Sequence, residues 1–401
     1  MSALETMRVL DLTQWEAGPS CCQMLAWLGA DVVKVEPTRG EVSRRAFISD
    51  GRPQYFLNHN GNKRSLAVDL KSERGRELVL QLVPHFDVIV ENQGPGVVER
   101  LRLGPEELRG INSRLIYARI KGFGLEGPYS SFKSFDPLAQ ASAGLFSVTG
   151  DVDGPPMKPG GTFADTGTGM QAALAITAAY VQQQRTGEGQ VIELSMQEVM
   201  TMFMRTPAAM YWGEGREAAP RRSKGEGGAP SGQYVCKGGG PNDYAFIQLA
   251  SREMWEALCN AIDRTDLITD ERFARGSARA ANALELRAEI EAWMLQHDKF
   301  DVMRILGAAG VPCSAVYDST DVFRDPHLKS RDFFLSLQHP KQGEFTAMRS
   351  PIRMSASNVD PTVAPDIGEH SKSILQEELN LADAEISELI DQGIIAIEGE
   401  I

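Results

Sequence analysis

Residues 8–36 read RVLDLTQWEAGPSCCQMLAWLGADVVKVE, and their order decides the fold. Arg8-Val9-Leu10-Asp11-Leu12 is a short apolar run of the kind that forms a buried strand. After Gly18-Pro19 the stretch Ser20 to Leu28 has helical spacing and ends at Gly29. Asp31-Val32-Val33-Lys34-Val35-Glu36 is again β-branched. Strand, helix and strand with short connections predict a βαβ unit, whose strands lie parallel. Working outward, Ser65 to Asp69, Val88 to Glu91 and Leu115 to Ile120 repeat the strand signal, with helical stretches such as Arg74 to Leu82 between them. The expected fold is therefore α/β, with a large Rossmann-like domain on a mostly parallel sheet. In such sheets ligands sit at the carboxyl ends of the strands.

The chain has 401 residues, more than one hydrophobic core usually serves, so a second and smaller α/β domain is expected. Residues 1–205 are assigned to the large domain and 206–232 to a linker with a glycine-rich loop. Residues 233–331 form the small domain, 332–349 a return linker, and 350–401 return to the large domain. A long helix is predicted over Gly167 to Arg185. From about Asp332 the chain reads as irregular until a final helix, Ala382 to Gln392.

The net charge of −13 disfavours a nucleic-acid partner, which needs a basic face. Locally the sign reverses: Arg39, Arg44, Arg45, Arg52, Lys63, Arg64, Lys71, Arg74 and Arg76 outnumber the acids among them. That cluster is either a solvated face or a site for a small polyanion. No stretch is long and apolar enough for a membrane span, and Met1 to Val9 has neither a basic leader nor an apolar signal core, so a cytoplasmic protein is expected. Five cysteines form no CxxC pair, and six histidines form no HxxxH or HExxH, so the spacings point to no metal.

One carboxylate stands apart. Gly160-Gly161-Thr162-Phe163-Ala164-Asp165-Thr166-Gly167-Thr168-Gly169-Met170 sets Asp165 at the mouth of the long helix. It is read either as an N-cap or as a nucleophile placed where backbone amides meet negative charge. The same stretch contains Gly167-Thr168-Gly169-Met170-Gln171-Ala172, a G-x-G-x-x-A pattern. That fingerprint requires a strand directly before it, which Lys158-Pro159-Gly160-Gly161 does not provide.

The chain resembles the class III coenzyme A transferases. The resemblance rests on Val9 to Thr13 with Ala17-Gly18-Pro19, Leu28 to Glu36, Asn62 to Lys71 and Val90 to Gly96. Asp165 to Met170, Arg185 to Gln190, Gly310-Val311-Pro312 and Gly368-Glu369-His370 complete it. It implies a large Rossmann-like domain built from both chain ends, a small domain, and two chains interlocked as rings. It implies Asp165 as catalytic nucleophile, passing through a mixed anhydride and an aspartyl-CoA thioester. Coenzyme A contacts then fall on Glu16, Ala17, Val68, Asp69, Leu70, Lys71, Asn92, Gln93, Gly94, Arg100, Lys133, Ser134, Phe135 and Asp136. A lid falls on Gly225, Glu226, Gly227 and Gly228, where Glu226 replaces a usual glycine. The partners implied are an acyl-CoA and a carboxylic acid, with no metal and no cofactor beyond coenzyme A as substrate. A homodimer is expected, with a heteromer containing a homologous subunit as the alternative.

Two departures stand out. Glu16 replaces the Gln of family members that act on formyl-CoA and oxalate, which puts oxalate in doubt. Arg39 lies two residues beyond the usual basic position, here Pro37. A sister group, the α-methylacyl-CoA racemases, uses a His in a Gly-His-Asp segment. Here that segment reads Ser134-Phe135-Asp136, and no histidine lies between His85 and His297, which argues against proton-transfer chemistry.

Overall fold

Alternate residues of each central strand face opposite apolar layers, which explains why the strands read as continuous hydrophobic runs. Val9, Val32, Val88, Val90, Ile116 and Ala118 pack into one core. Leu10, Val33, Ile89 and Tyr117, each one register step away, pack into a second core on the other face. Both faces are dry, as a parallel sheet requires. A computed structural model describes residues 2–221 and 229–399 of the chain.

The strands are β1 (Arg8–Asp11), β2 (Asp31–Glu36), β3 (Arg64–Val68), β4 (Val88–Glu91), β5 (Ile116–Lys121) and β6 (Val191–Ser195). Further on come β7 (Gly232–Val235), β8 (Tyr244–Ile247) and β9 (Cys313–Ala315), then β10 (Phe334–His339), β11 (Gly343–Met348) and β12 (Ile395–Ala396). The main sheet has seven strands in the order β12-β3-β2-β1-β4-β5-β6. All neighbours are parallel except β12, which pairs antiparallel with β3 and so brings residues from near both chain ends into one sheet. The strand order reverses between β1 and β4. At such a reversal the flanking helices diverge and leave a crevice beyond the strand ends.

The chain divides into two compact units. One comprises Met1–Phe146, Lys158–Ala219 and Asp332–Ile401, and the other Ser147–Met157 and Pro220–Arg331. The second unit is built on the antiparallel sheet β7-β8-β9, with Trp255, Leu258, Leu286, Ile290 and Leu306 in its core. It takes in residues 147–157, which the sequence reading placed in the first domain. Residues 332–349, expected as an irregular return linker, contain the β10–β11 hairpin, paired in register from Phe334↔Met348 to His339↔Gly343. The alternation around Leu335, Leu337, Phe345 and Ala347 carries that hairpin. Its apolar face packs on Phe56 and Leu57.

Two helices matter most. The first, Ala17–Trp27, starts directly after β1, with Pro19 in its opening turn, where a missing N–H costs nothing. The longest, Phe163–Thr186, begins four residues before the expected Gly167. No strand leads directly into it, so the G-x-G-x-x-A pattern is not a dinucleotide turn. Its glycines serve packing instead. A Cβ at Gly169 would lie 2.8 Å from the Ala17 carbonyl oxygen and 3.1 Å from the Cys21 nitrogen. A Cβ at Gly167 would meet the Phe203 ring at 3.0 Å.

Candidate active site

Because the long helix starts at Phe163, Asp165 is not its N-cap but the third residue of its first turn. The cap is supplied from elsewhere. Asp136, first residue of the helix Asp136–Ser142, accepts the backbone N–H groups of Ala164 (2.8 Å) and Asp165 (3.2 Å) on one oxygen. Its other oxygen accepts from Gln140. The Asp165 carboxyl is therefore free of capping duty. It is half-buried and held up to about 8, first by burial and then by the charges of Glu16 and Asp136.

Glu16 ends the turn between β1 and the first helix and is 3 % exposed. Its Oε1 accepts from the hydroxyls of Thr162 (2.6 Å), the residue just before the long helix, and Thr166 (2.9 Å), in its first turn, which bracket Asp165. Its Oε2 accepts from Tyr55 at 3.2 Å. His59 Nε2 stands 3.8 Å from Oε1, while its Nδ1 lies 2.8 Å from the Tyr55 carbonyl. A ring nitrogen against a carbonyl is the protonated one. Burial foremost lowers the His59 pKa, and raises that of the Tyr55 hydroxyl. Tyr55, His59, Thr162 and Thr166 were not singled out from the sequence. Placing the helix start four residues earlier would have put both threonines on the Asp165 turn.

Two adjoining cavities lie over the carboxyl ends of β1 and β4. The first, about 310 Å³, is lined by Gln14, Trp15, Ala17, Asn92, Gln93, Gly94, Lys121, Lys133, Ser134, Phe135 and Asp165, among others. The second, about 450 Å³, shares Gln14, Gln93 and Val97 with it and reaches Val68, Asp69, Leu70, Lys71 and Arg100, together with Arg39 and Arg45. The strand-order reversal thus brings together residues far apart in sequence. Asn92 locks the two loops, accepting from the Gln14 N–H (2.9 Å) and donating to the Gln14 carbonyl (2.8 Å). Gln93 donates to the Leu12 carbonyl, and Lys121 donates to the Gln93 carbonyl. Trp15 has φ +65°, a strained value for a residue with a side chain. Its ring meets Tyr55 and Phe135 edge-on, with centroids 6.5 and 6.4 Å apart.

Of the residues expected to touch coenzyme A, all but two line these cavities. Glu16 and Asp136 lie behind the wall, Asp136 acting as the cap described above. Gly225, Glu226, Gly227 and Gly228 lie outside the described residues. The basic segment resolves into two jobs. Arg44 pairs with Glu36 at 2.6 Å, Arg64 with Asp31 at 2.7 Å, and Arg74 with Glu77 at 3.0 Å. Lys63 is wholly buried, donating to Asp11 (2.9 Å), the Pro19 carbonyl (3.0 Å) and Asn60 (2.8 Å). Burial would raise Asp11, but Lys34, Lys63 and the Thr13 hydroxyl outweigh it and hold it at about 2. The Lys63 contacts tie the end of β1 to the opening turn of the first helix, the two segments that flank Glu16. Arg39, Arg45 and Lys71 are left facing the second cavity.

A family profile described as CoA-transferase family III matches residues 4–371. A formyl-CoA:oxalate CoA-transferase of Streptomyces avermitilis is 38 % identical, over 98 % of this chain and 99 % of its own length. The crystal structure of a CAIB/BAIF family protein from Brucella suis superposes with a TM-score of 0.83 at 33 % identity, covering 94 % of this chain and 99 % of that one. A Mycobacterium tuberculosis protein of known structure gives 0.81 at 30 % identity, covering 92 % and 98 %.

Proposed function

The chain belongs to CoA-transferase family III and is a coenzyme A transferase; we propose that it moves coenzyme A from an acyl-CoA to a carboxylic acid through covalent intermediates on Asp165. The observation that carries this reading is the position of the Asp165 carboxyl, in the wall of a cavity that adjoins a second one lined by Arg39, Arg45, Lys71 and Arg100. Cations at the far end suit the phosphates of coenzyme A. An extended acyl-CoA would then run along the strand ends and bring its thioester to Asp165.

The ionised Asp165 oxygen attacks the thioester carbonyl. The C–S bond breaks, the electron pair leaves with the coenzyme A thiolate, and a mixed anhydride remains. The thiolate attacks the aspartyl carbonyl, the anhydride C–O bond breaks, and the donor acid departs as its carboxylate. This leaves an aspartyl-CoA thioester. The acceptor carboxylate displaces the thiolate from that thioester, giving a second anhydride. Thiolate attack on the acceptor's acyl carbon then releases the new acyl-CoA and regenerates Asp165. No water enters, so the thioester energy is retained.

A carboxyl held near 8 is about one-tenth ionised at neutral pH, but the ionised form is more basic than an ordinary carboxylate and a better nucleophile. The test combines a variant with a trap. Asp165→Ala should fold and lose transfer. In the native chain an acyl-CoA without acceptor should leave an adduct trapped by hydroxylamine or borohydride, mapping between Lys158 and Arg185. Near-normal turnover by the variant would end this reading.

A further inference from the structure

Glu16 differs from a neutral residue at its position in two respects. A glutamate carboxylate only accepts hydrogen bonds, whereas a glutamine amide also donates. Thr162, Thr166 and Tyr55 each have one hydroxyl proton, and all three are directed at Glu16. Those protons are not available to a substrate. Glu16 also places its charge in a buried setting beside Asp165, where Asp136 already contributes another. The surroundings of the reacting carboxyl are thus acceptor-rich and negative. The cavity wall next to it carries Trp15, Phe132, Phe135, Val97, Ile120 and Met196; of the two cations on the same wall, Lys121 is paired with Glu91 at 2.8 Å, and Lys133 is the other.

From this arrangement we propose that Glu16 is a specificity-determining residue that restricts the acid to one carboxylate on an uncharged, apolar body, and excludes small diacids such as oxalate. The proposal rests on Asp165 as the acyl-accepting group. The carboxylate consumed in the reaction has its charge removed when it becomes a thioester or anhydride. A second carboxylate on a short acid keeps its charge and must sit in the field of Glu16 and Asp136. It finds the nearby hydroxyl protons already committed, and like charges brought together in a desolvated site are strongly disfavoured. An alkyl or aryl body meets the rings of Trp15 and Phe135 without that cost. Glu16 acts through the field and through the hydroxyls, since it lies behind the wall and not in it.

Butyryl-CoA and succinyl-CoA have the same chain length and differ by the terminal carboxylate, so they isolate the effect. The rate of adduct formation on Asp165 would be measured by mass spectrometry for each, in the native chain and in Glu16→Gln. The native chain should favour butyryl-CoA by about tenfold or more in the second-order rate constant of adduct formation, and Glu16→Gln should shrink that ratio by a similar factor. The acceptor pair butyrate and succinate should follow the same order. Equal labelling by the two donors in the native chain, or a ratio unchanged in Glu16→Gln, overturns the proposal and leaves the covalent mechanism standing. No adduct from either donor removes the mechanism itself, and this inference with it. The native ratio is informative even if the variant folds poorly.

Discussion

Asp165 carries a cost that the rest of its helix does not. An acidic side chain in the first turn of a helix is ordinarily stabilising, because it meets the positive end of the helix dipole. Here burial and the charges of Glu16 and Asp136 more than cancel that benefit and hold the carboxyl up to about 8, against an ordinary 3.8. The consequence for stability has a definite sign. Below about pH 4 the carboxyl is protonated in both folded and unfolded chains and contributes nothing. Between about 4 and 8 the unfolded chain releases the proton while the folded chain keeps it, so stability falls as pH rises. Above 8 the penalty is constant. Asp165→Asn removes the charge while keeping the shape. Its melting temperature should therefore match the native chain near pH 4 and exceed it increasingly up to pH 8. A difference that stays flat or shrinks over that range would show that Asp165 is not strained in the folded chain. This trade is typical of active sites, where a group is kept in surroundings that make its ionised form more reactive at the expense of stability.

At the scale of elements, the site depends on how closely the long helix Phe163–Thr186 lies against the helix Ala17–Trp27. Gly169 permits that approach, since its missing Cβ faces the Ala17 carbonyl oxygen and the Cys21 nitrogen, both backbone atoms with little room to move. Gly169→Ala should destabilise the chain by about 1–3 kcal/mol through overpacking. It should also lower turnover, because Ala17 and Glu16 would shift relative to Asp165. Gly110, in the helix Pro105–Ile111, has nothing within 4 Å of its would-be Cβ. Gly110→Ala should gain about 0.5–1 kcal/mol and leave activity alone. Chemical denaturation of the pair checks both signs, and equal effects would refute the packing account. The same elements mark what the sequence could tell. The central strands were legible because both faces are buried and each strand is a plain apolar run. The start of the long helix was not, since Thr162 provides no side-chain cap and the cap comes from Asp136, twenty-nine residues before Asp165. That non-local cap concealed Thr162 and Thr166 as part of the site. The β10–β11 hairpin was missed because its alternation is short and partly exposed. Asn92, Gln93 and Lys71 were placed by family resemblance, and only the strand-order reversal shows why they meet.

Considered as a whole, the chain has an apolar face that a single copy leaves open. Phe163, Met170, Leu174 and Val181 recur at intervals of seven, four and seven along the long helix, and such intervals return to one side. All four are exposed, Met170 to 56 % and Leu174 to 66 %. An exposed apolar stripe on the helix that bears Asp165 is the kind of surface a protein partner covers. The partner expected from the family resemblance is a second copy of this chain, threaded through the first as an interlocked ring. Such a topology makes the interface obligate, larger than about 2,000 Å² in all, and prevents separation without unfolding. Light scattering over a wide dilution series should therefore find a dimer at every concentration at which the protein remains folded. Leu174→Glu, which is solvent-exposed and harmless in a lone chain, should depress the yield of folded protein or its melting temperature, because the charge would be buried in the assembled pair. A folded, active monomer at low concentration, with Leu174→Glu silent, would show that the stripe faces water and that the interlocked pair does not form.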